Sequence, residues 1–221
     1  MSEWRKKHEE IISSFMEYIS DYTDDFILKG GTALLLCYGL DRFSEDIDLD
    51  GTKKGLIDIV DKYCFENDYS YRVGKDTEIV ERCFINYGDN SHPLKVEASY
   101  RNKDISDKEV VIINNIKTYS IDVLCDMKAT AYSGRDKIRD VYDLSFICNN
   151  YYDKLSPQTI RTVKNVVGYK GIEHFDYIIR SQPDELIDTE KLVDSFLSTF
   201  DRLGLLIDVN EKEILEKYEK T

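Results

Sequence analysis

The sequence has little of several features that mark particular protein classes. Its three histidines, His8, His92 and His174, are scattered with no second histidine at metal-ligand spacing, which gives a zinc catalyst no support. The five cysteines form no Cys-x-x-Cys pair, so we expect buried thiols in a reducing compartment. No apolar run approaches the roughly 18 residues of a membrane span, and the N-terminal stretch does not resemble a signal peptide. We therefore expect a cytoplasmic protein that contacts no membrane.

Positive charge is also scarce. Thirty lysines and arginines face 43 aspartates and glutamates, which leaves a net charge of −13 over 221 residues. This balance excludes a generally basic nucleic-acid-binding module, so a nucleic acid would have to meet a local patch. With 42% hydrophobic residues and only three prolines, the chain is long enough to bury a core and should be globular.

The apolar periodicity changes along the chain. Helical spacing predicts helices at 3–20, 33–40 and 56–67, and strand-like runs occur at 26–29, 46–50, 78–88, 93–100 and 108–116. From residue 121 onward the spacing is helical, at 121–134, 138–150, 157–168, 171–180, 188–202 and 210–220. The pattern predicts an α+β protein, with an N-terminal mixed sheet and flanking helices over residues 1–120 and a C-terminal helical domain over residues 121–221.

Three acids at every second position follow a glycine turn in the stretch from Lys29 to Asp50. In a strand, side chains at i and i+2 point to the same face, so Asp46 and Asp48 should project together while Ile47 enters the core. Two carboxylates this close repel unless a cation lies between them. A pair of divalent ions would relieve that repulsion, in the arrangement that nucleotide-transfer chemistry uses.

Other interpretations of the acids compete. A solvated strand face explains a lone Asp-x-Asp equally well. An EF-hand loop matches Asp46, Asp48, Asp50 and Gly51, but its twelfth position is Ile57, where a bidentate glutamate is required. The P-loop signature G-x-x-x-x-G-K-[ST] does not occur in the sequence.

Residues near the acids could bind an anionic triphosphate. Gly30 and Gly31 allow close approach of the backbone, and Thr32 adds a hydroxyl at a helix N-terminus. Arg42 and Ser44 lie just before the acids, where a guanidinium could reach a phosphate or steady the carboxylates. Taken singly, the glycines also fit a plain strand-to-helix turn, and Arg42 also fits a surface arginine.

The motif KGGTAL followed by RFSEDIDL resembles the AbiEii/AbiGii (MenT-like) toxin family of the DNA polymerase β-like nucleotidyltransferases. The resemblance implies a nucleotidyltransferase-type mixed sheet in which Asp46 and Asp48 hold two Mg²⁺ ions. It also implies transfer of a nucleoside monophosphate from a nucleoside triphosphate, with release of pyrophosphate.

The same resemblance implies a third carboxylate on a later strand. In PLKVEASY, alternation places Glu97 on the face opposite Leu94 and Val96, which makes it the candidate third metal ligand or general base. A solvent-facing strand glutamate would show the same pattern.

The helical region offers further candidates. Lys128 lies on an apolar helix stripe, where it either reaches out to solvent or binds the triphosphate. Asp140 and Asp143 lie beside the next stripe, although an acid such as Asp140 would also suit a helix N-terminus. The resemblance, carried by the run from Arg135 to Leu144, assigns Lys128 to the nucleotide phosphates and makes Asp140 and Asp143 site residues. It implies that the helical domain completes the active-site cleft.

The resemblance also suggests a biological role. It implies the toxin of a toxin–antitoxin or abortive-infection pair, which modifies tRNA 3′ ends and is restrained by a cognate antitoxin protein. A compact basic cluster, Arg135, Lys137 and Arg139, is the candidate contact for an RNA backbone. Because the chain is acidic, two alternatives stay open: nucleotidyl transfer to a protein or a small molecule such as an antibiotic, and a non-catalytic nucleotide-binding partner module.

Overall fold

A computed structural model describes residues 3–88, 92–102 and 104–206. The chain divides into two compact units, of which the first ends at Leu124 and the second begins at Cys125. The helix predicted at 210–220 lies outside the described residues. Among the described residues, no helix is both long and apolar enough to cross a membrane.

The first unit is built on one mixed sheet. Within the described residues the sheet has seven strands: β1 (Phe26–Lys29), β2 (Asp46–Gly51), β3 (Ser70–Asp76), β4 (Val80–Asn86), β5 (Leu94–Ser99), β6 (Val110–Ile113) and β7 (Ile116–Tyr119). Their order is β3-β4-β5-β2-β1-β7-β6. The pairs β2–β5 and β1–β7 are parallel and the other neighbours are antiparallel. The predicted mixed sheet is confirmed.

The described helices are α1 (Glu3–Tyr22), α2 (Gly30–Tyr38), α3 (Leu56–Glu66), α4 (Ile121–Gly134), α5 (Ile138–Tyr151), α6 (Pro157–Ser181) and α7 (Thr189–Arg202). In the first unit, α1 and α3 pack together through Phe15 and Tyr63, whose rings meet edge to face at 5.1 Å. In the second unit, Phe175 of α6 stacks on Phe196 of α7 at 3.7 Å. These aromatic contacts close the apolar interior of each unit.

Two predictions for the sheet were wrong. The strand β3 was not predicted, because most of its residues are exposed and it lacks an apolar face. The segment 108–116 was predicted as one strand, but Asn114 and Asn115 adopt positive φ angles of 52° and 62° and form the turn between β6 and β7. Asparagine tolerates this conformation better than most residues, and two such residues in a row are typical of a hairpin turn.

The helical region follows its prediction with one refinement. The helices predicted at 157–168 and 171–180 form α6, and Gly171 interrupts the helical backbone between them with φ 73° and ψ 177°.

All five cysteines are free thiols, and burial raises the pKa of Cys37 and Cys64 to about 11. Their thiols are therefore protonated and weakly reactive at neutral pH.

Candidate active site

The register of two neighbouring strands gathers charged side chains on one face of the sheet. Strands β2 and β5 are parallel, and Asp46 pairs with Lys95 while Asp48 pairs with Glu97. Residues paired in a sheet share a face, and Ile47 and Leu49, which point the other way, are fully buried. The structure therefore brings together the three acids predicted as metal ligands; we call Asp46, Asp48, Glu97 and Lys95 the acid face.

Lys95 lies between the two aspartates of the acid face. Its Nζ is 2.7 Å from Oδ2 of Asp46 and 4.0 Å from Oδ1 of Asp48. The three side chains are partly accessible, with exposed fractions of 26% for Lys95, 45% for Asp46 and 42% for Asp48. The ammonium thus supplies the positive charge that the aspartate pair requires, at a position that solvent and solutes can reach.

Burial and neighbouring charges change the pKa of Asp48 and of Lys95. Partial burial raises the pKa of Asp48; the charge of Lys95 opposes this rise, and the charges of Asp46 and Glu97 add to it. For Lys95, burial alone would lower the pKa, but its hydrogen bond to Asp46 and the nearby carboxylates outweigh burial and raise it. Lys95 is therefore charged at neutral pH, and a nearby cation favours the ionised form of Asp48.

The two glycines at the start of α2 lie against this face. Gly30 has φ +76°, and a Cβ added there would lie 3.3 Å from Oδ2 of Asp48. A Cβ at Gly31 would lie 2.9 Å from a guanidinium nitrogen of Arg42 and 2.9 Å from the Ser44 hydroxyl. Both positions are therefore crowded, and Gly30 also needs a backbone conformation that other residues rarely adopt. The turn places the N-terminus of α2 directly beside Asp48.

Thr32, Arg42 and Ser44 are buried behind this turn. The Thr32 hydroxyl donates a 2.8 Å hydrogen bond to the Ser44 hydroxyl and also bonds the backbone carbonyl of Asp46. Arg42 donates through Nη1 to the carbonyl of Phe43 at 2.9 Å. The bonds of Thr32 join the start of α2 to the segment before β2 and to Asp46, while Arg42 bonds within that segment.

Glu97 has a hydrogen-bond partner of its own, and so do two buried acids, Asp50 and Glu81, that were not predicted as site residues. Arg82 of β4 donates to Glu97 at 2.5 Å. Asp50, the third acid of the alternating set, is buried and accepts bonds from Lys29 at 2.5 Å and Tyr119 at 2.8 Å. Glu81 of β4, also buried, accepts a hydrogen bond from the Leu56 N–H at 2.8 Å and so caps the N-terminus of α3. Asp50 and Glu81 are therefore buried structural acids, whereas Asp46 and Asp48 stay partly accessible.

The second unit contains its own charge cluster, which we call the lysine cluster: Lys128, Arg135, Asp140 and Asp143. Nζ of Lys128 is 2.6 Å from Asp143 and 3.5 Å from Asp140. Arg135 binds both oxygens of Asp140, at 2.7 and 3.0 Å. The carboxylates of Asp140 and Asp143 are 3% and 0% exposed. The predicted residues of the helical region are thus joined in one network, in which two cations balance two carboxylates.

The donor set of the acid face suits a hard divalent cation. Its ligands are carboxylate oxygens, and it already holds one positive charge between two aspartates. Among the described residues, no group of three or more His, Cys, Asp or Glu side chains is arranged to hold a metal ion by itself. Magnesium at nucleotide sites is usually held by one or two carboxylates together with substrate phosphates, so Asp46 and Asp48 fit this requirement as a pair.

Comparisons with solved structures identify proteins of similar fold. The chain resembles the crystal structure of JHP933 from Helicobacter pylori, with 27% identity, a TM-score of 0.77 and coverage of 98% of this chain and 99% of that one. It also resembles a Helicobacter pylori protein provisionally assigned as a nucleotidyltransferase, with 26% identity, a TM-score of 0.76 and coverage of 93% and 97%. No curated protein matches the chain in sequence.

A family profile completes the comparison. The profile described as nucleotidyl transferase AbiEii toxin, type IV toxin–antitoxin system, matches residues 14–212. This match spans most of the chain and includes the glycine turn, the acid face and the lysine cluster. The protein therefore belongs to the AbiEii family of nucleotidyltransferase toxins, and it is a nucleotidyltransferase.

Proposed function

We propose that the protein transfers a nucleoside monophosphate from a nucleoside triphosphate to an acceptor hydroxyl, in a reaction that depends on Mg²⁺. The observation that carries the proposal is the acid face: Asp46 and Asp48 project together beside the crowded Gly30–Gly31 turn. The acceptor oxygen forms a bond to the α-phosphorus, the bond to the leaving oxygen breaks, and pyrophosphate departs.

Asp46 and Asp48 would hold the magnesium, with two ions as the proposed number. Bound there, Mg²⁺ neutralises charge on the phosphate oxygens. Glu97 of β5 pairs with Asp48 of β2. We assign it as a third metal ligand or as the base that takes the proton of the acceptor hydroxyl. Its bond to Arg82 fixes the direction in which its carboxylate points.

The triphosphate would meet the glycine turn. Backbone N–H groups at the start of a helix attract anions, and α2 begins at Gly30 without a side-chain cap. Thr32, Arg42 and Ser44 support this role by holding the turn in place. The family resemblance alone assigns Lys128 and Asp143 to nucleotide binding, and Lys128 and Asp140 to catalysis.

For the acceptor we propose a tRNA 3′ hydroxyl. The family description adds a cognate antitoxin as the partner that counteracts the protein. Because tRNA and nucleoside triphosphates are cytoplasmic, we propose that the enzyme acts there. Expression should arrest growth, and co-expression of the neighbouring antitoxin should restore it.

One observation favours a different acceptor. Arg135 is paired with Asp140, and Arg139 is paired with Asp184 at 2.6 Å, so two members of the basic cluster already have carboxylate partners. A protein with a net charge of −13 is better suited to a protein or small-molecule acceptor than to a polyanionic RNA. A salt titration separates the two, since transfer to tRNA should weaken steeply with ionic strength.

The test uses purified protein with Mg²⁺, each of the four labelled nucleoside triphosphates and total tRNA. Asp48→Asn should lower transfer at least about a hundredfold, because it removes a charge that acts at the reacting phosphate. The matched control is Asp76→Asn, an exposed acid on the edge strand β3, which should keep full activity.

Each result has a stated meaning. Label on tRNA from the wild type and the control, but not from Asp48→Asn, supports the proposal and names the donor base. Label on protein or on a small molecule, with tRNA unlabelled, changes the acceptor and keeps the site. Full activity of Asp48→Asn contradicts the mechanism, and nucleotide binding without pyrophosphate release favours a non-catalytic binding module.

A further inference from the structure

Lys95 is placed by the sheet register where a metal ion would also bind. It pairs with Asp46 across β2 and β5, and its side chain lies on the face that carries both aspartates. Its Nζ contacts Oδ2 of Asp46 at 2.7 Å and lies 4.0 Å from Oδ1 of Asp48. Carboxylate oxygens in such close contact with an ammonium cannot also coordinate a divalent ion in the same direction.

Two neighbouring cations on this side of the sheet are paired with acids other than Asp46 and Asp48. Lys29 is bonded to Asp50 at 2.5 Å, and that carboxylate is only 6% exposed. Arg82 is bonded to Glu97, also at 2.5 Å. Lys95 is different because it lies between two acids, which are 45% and 42% exposed and so more accessible than the partners of Lys29 and Arg82. A lysine is a compact charge on a flexible four-carbon stem, so it can leave these acids without a change in the backbone.

We propose that Lys95 is a resident counter-ion of Asp46 and Asp48 in the metal-free protein, and that it competes with the divalent cation for them. This inference rests on the proposed function, since it takes these aspartates as the metal ligands. Lys95 is thus a positioning residue that sets the concentration of divalent cation needed to occupy the site. When metal and a nucleoside triphosphate bind, the ammonium is released toward the added phosphate charge.

Two consequences follow for the protein without nucleotide. Removal of the Lys95 charge should tighten binding of a divalent cation about tenfold, because a partly exposed ion pair no longer has to be broken and the ammonium no longer repels the ion. The metal-free protein should become less stable, because the repulsion between Asp46 and Asp48 is then uncompensated. Added metal should restore the lost stability.

The experiment measures Mn²⁺ binding by electron paramagnetic resonance of the free ion, without nucleotide, so that activity plays no part in the readout. The test variant is Lys95→Met, which keeps the length of the side chain and removes its charge; Lys95→Gln is a second uncharged variant. Lys95→Arg keeps the charge. The matched control is Lys54→Met, which changes net charge equally but breaks the 2.5 Å pair with Asp76.

Lys95→Met should bind Mn²⁺ about tenfold more tightly than the wild type, whereas Lys95→Arg and Lys54→Met should bind as the wild type does. The melting temperature of Lys95→Met should also rise more on addition of Mn²⁺. Equal or weaker Mn²⁺ binding by both Lys95→Met and Lys95→Gln overturns the inference. Failure of the proposed function looks different: Asp48→Asn would then leave Mn²⁺ binding unchanged in both the wild-type and Lys95→Met backgrounds.

Discussion

The charged side chains of the two clusters differ in their exposure to solvent and in their pairing. In the acid face, Asp46 and Asp48 are more than 40% exposed, and Lys95 lies 2.7 Å from one and 4.0 Å from the other. In the lysine cluster, Asp140 and Asp143 are almost inaccessible and each contacts a cation at 2.7 Å or less. Water and solutes can reach the first arrangement, whereas in the second the loss of one partner would leave an uncompensated buried charge.

The largest expected effect compares one acid from each cluster. Asp143→Asn should lower the free energy of unfolding by about 3–5 kcal/mol, because it leaves the Lys128 charge buried with weaker compensation. Asp46→Asn should change it by less than about 1 kcal/mol, since its partner is accessible to water. Urea unfolding followed by circular dichroism measures both. Equal losses would show that the two clusters do not differ in this respect.

A second prediction concerns the contact between the glycine turn and Asp48. Gly30→Ala and Gly39→Ala should each cost about 1–2 kcal/mol of stability, because φ is +76° and +73° at these positions. Only the new methyl at residue 30 would press on Asp48, at 3.3 Å, while the surroundings of Gly39 are open. Nucleotidyl transfer should therefore fall about tenfold to a hundredfold in Gly30→Ala alone.

The control in this pair is internal, since the two variants share the backbone strain. Equal activities of Gly30→Ala and Gly39→Ala would mean that the contact between the turn and Asp48 has no catalytic importance. Thermal melts of both variants, recorded beside the activity assay, separate a loss of folded protein from a loss of catalysis.

The smallest expected effect concerns the buried imidazole of His8. Burial lowers the pKa of His8, and this outweighs its hydrogen bond to the carbonyl of Glu45 and the nearby negative charges. Above pH 6.5 the ring is neutral in the folded and unfolded states. As the pH falls through this value, the unfolded state gains a proton before the folded state does, so stability declines.

The measurement compares the free energies of unfolding at pH 7.5 and 5.5 in the wild type and in His8→Gln. The loss on acidification should be smaller in the variant, which has no titrating ring. An identical loss in both proteins would assign the acid sensitivity to other groups.

The sequence supported those parts of the fold that follow from short-range patterns. Alternation in DIDLD predicts that Asp46 and Asp48 share a face, and the strand β2 has this alternation with Ile47 and Leu49 fully buried. The strand β3 carries no such pattern, because an exposed edge strand needs no apolar face. The β6–β7 hairpin was missed because its Asn114–Asn115 turn lies within an otherwise apolar run.

The partners of the candidate site residues could not be predicted in the same way. Lys95 contacts Asp46 from 49 positions further along the chain, and only the pairing of β2 with β5 brings them together. Likewise, Asp50 and Asp48 look equivalent in sequence, yet Asp50 is buried by Lys29 and Tyr119. Contacts set by long-range register cannot be found from local spacing.

The acid face depends on a strand repeat of two residues, and this has a consequence for how the protein can evolve. Substitutions around Asp46 and Asp48 can adjust the site gradually. The insertion or deletion of a single residue at the start of β2 would instead turn Ile47 and Leu49 outward and bury the acids. Length changes in β2 should therefore abolish function in one step, whereas the turn between β6 and β7, at the edge of the sheet, can vary in length without moving the acids.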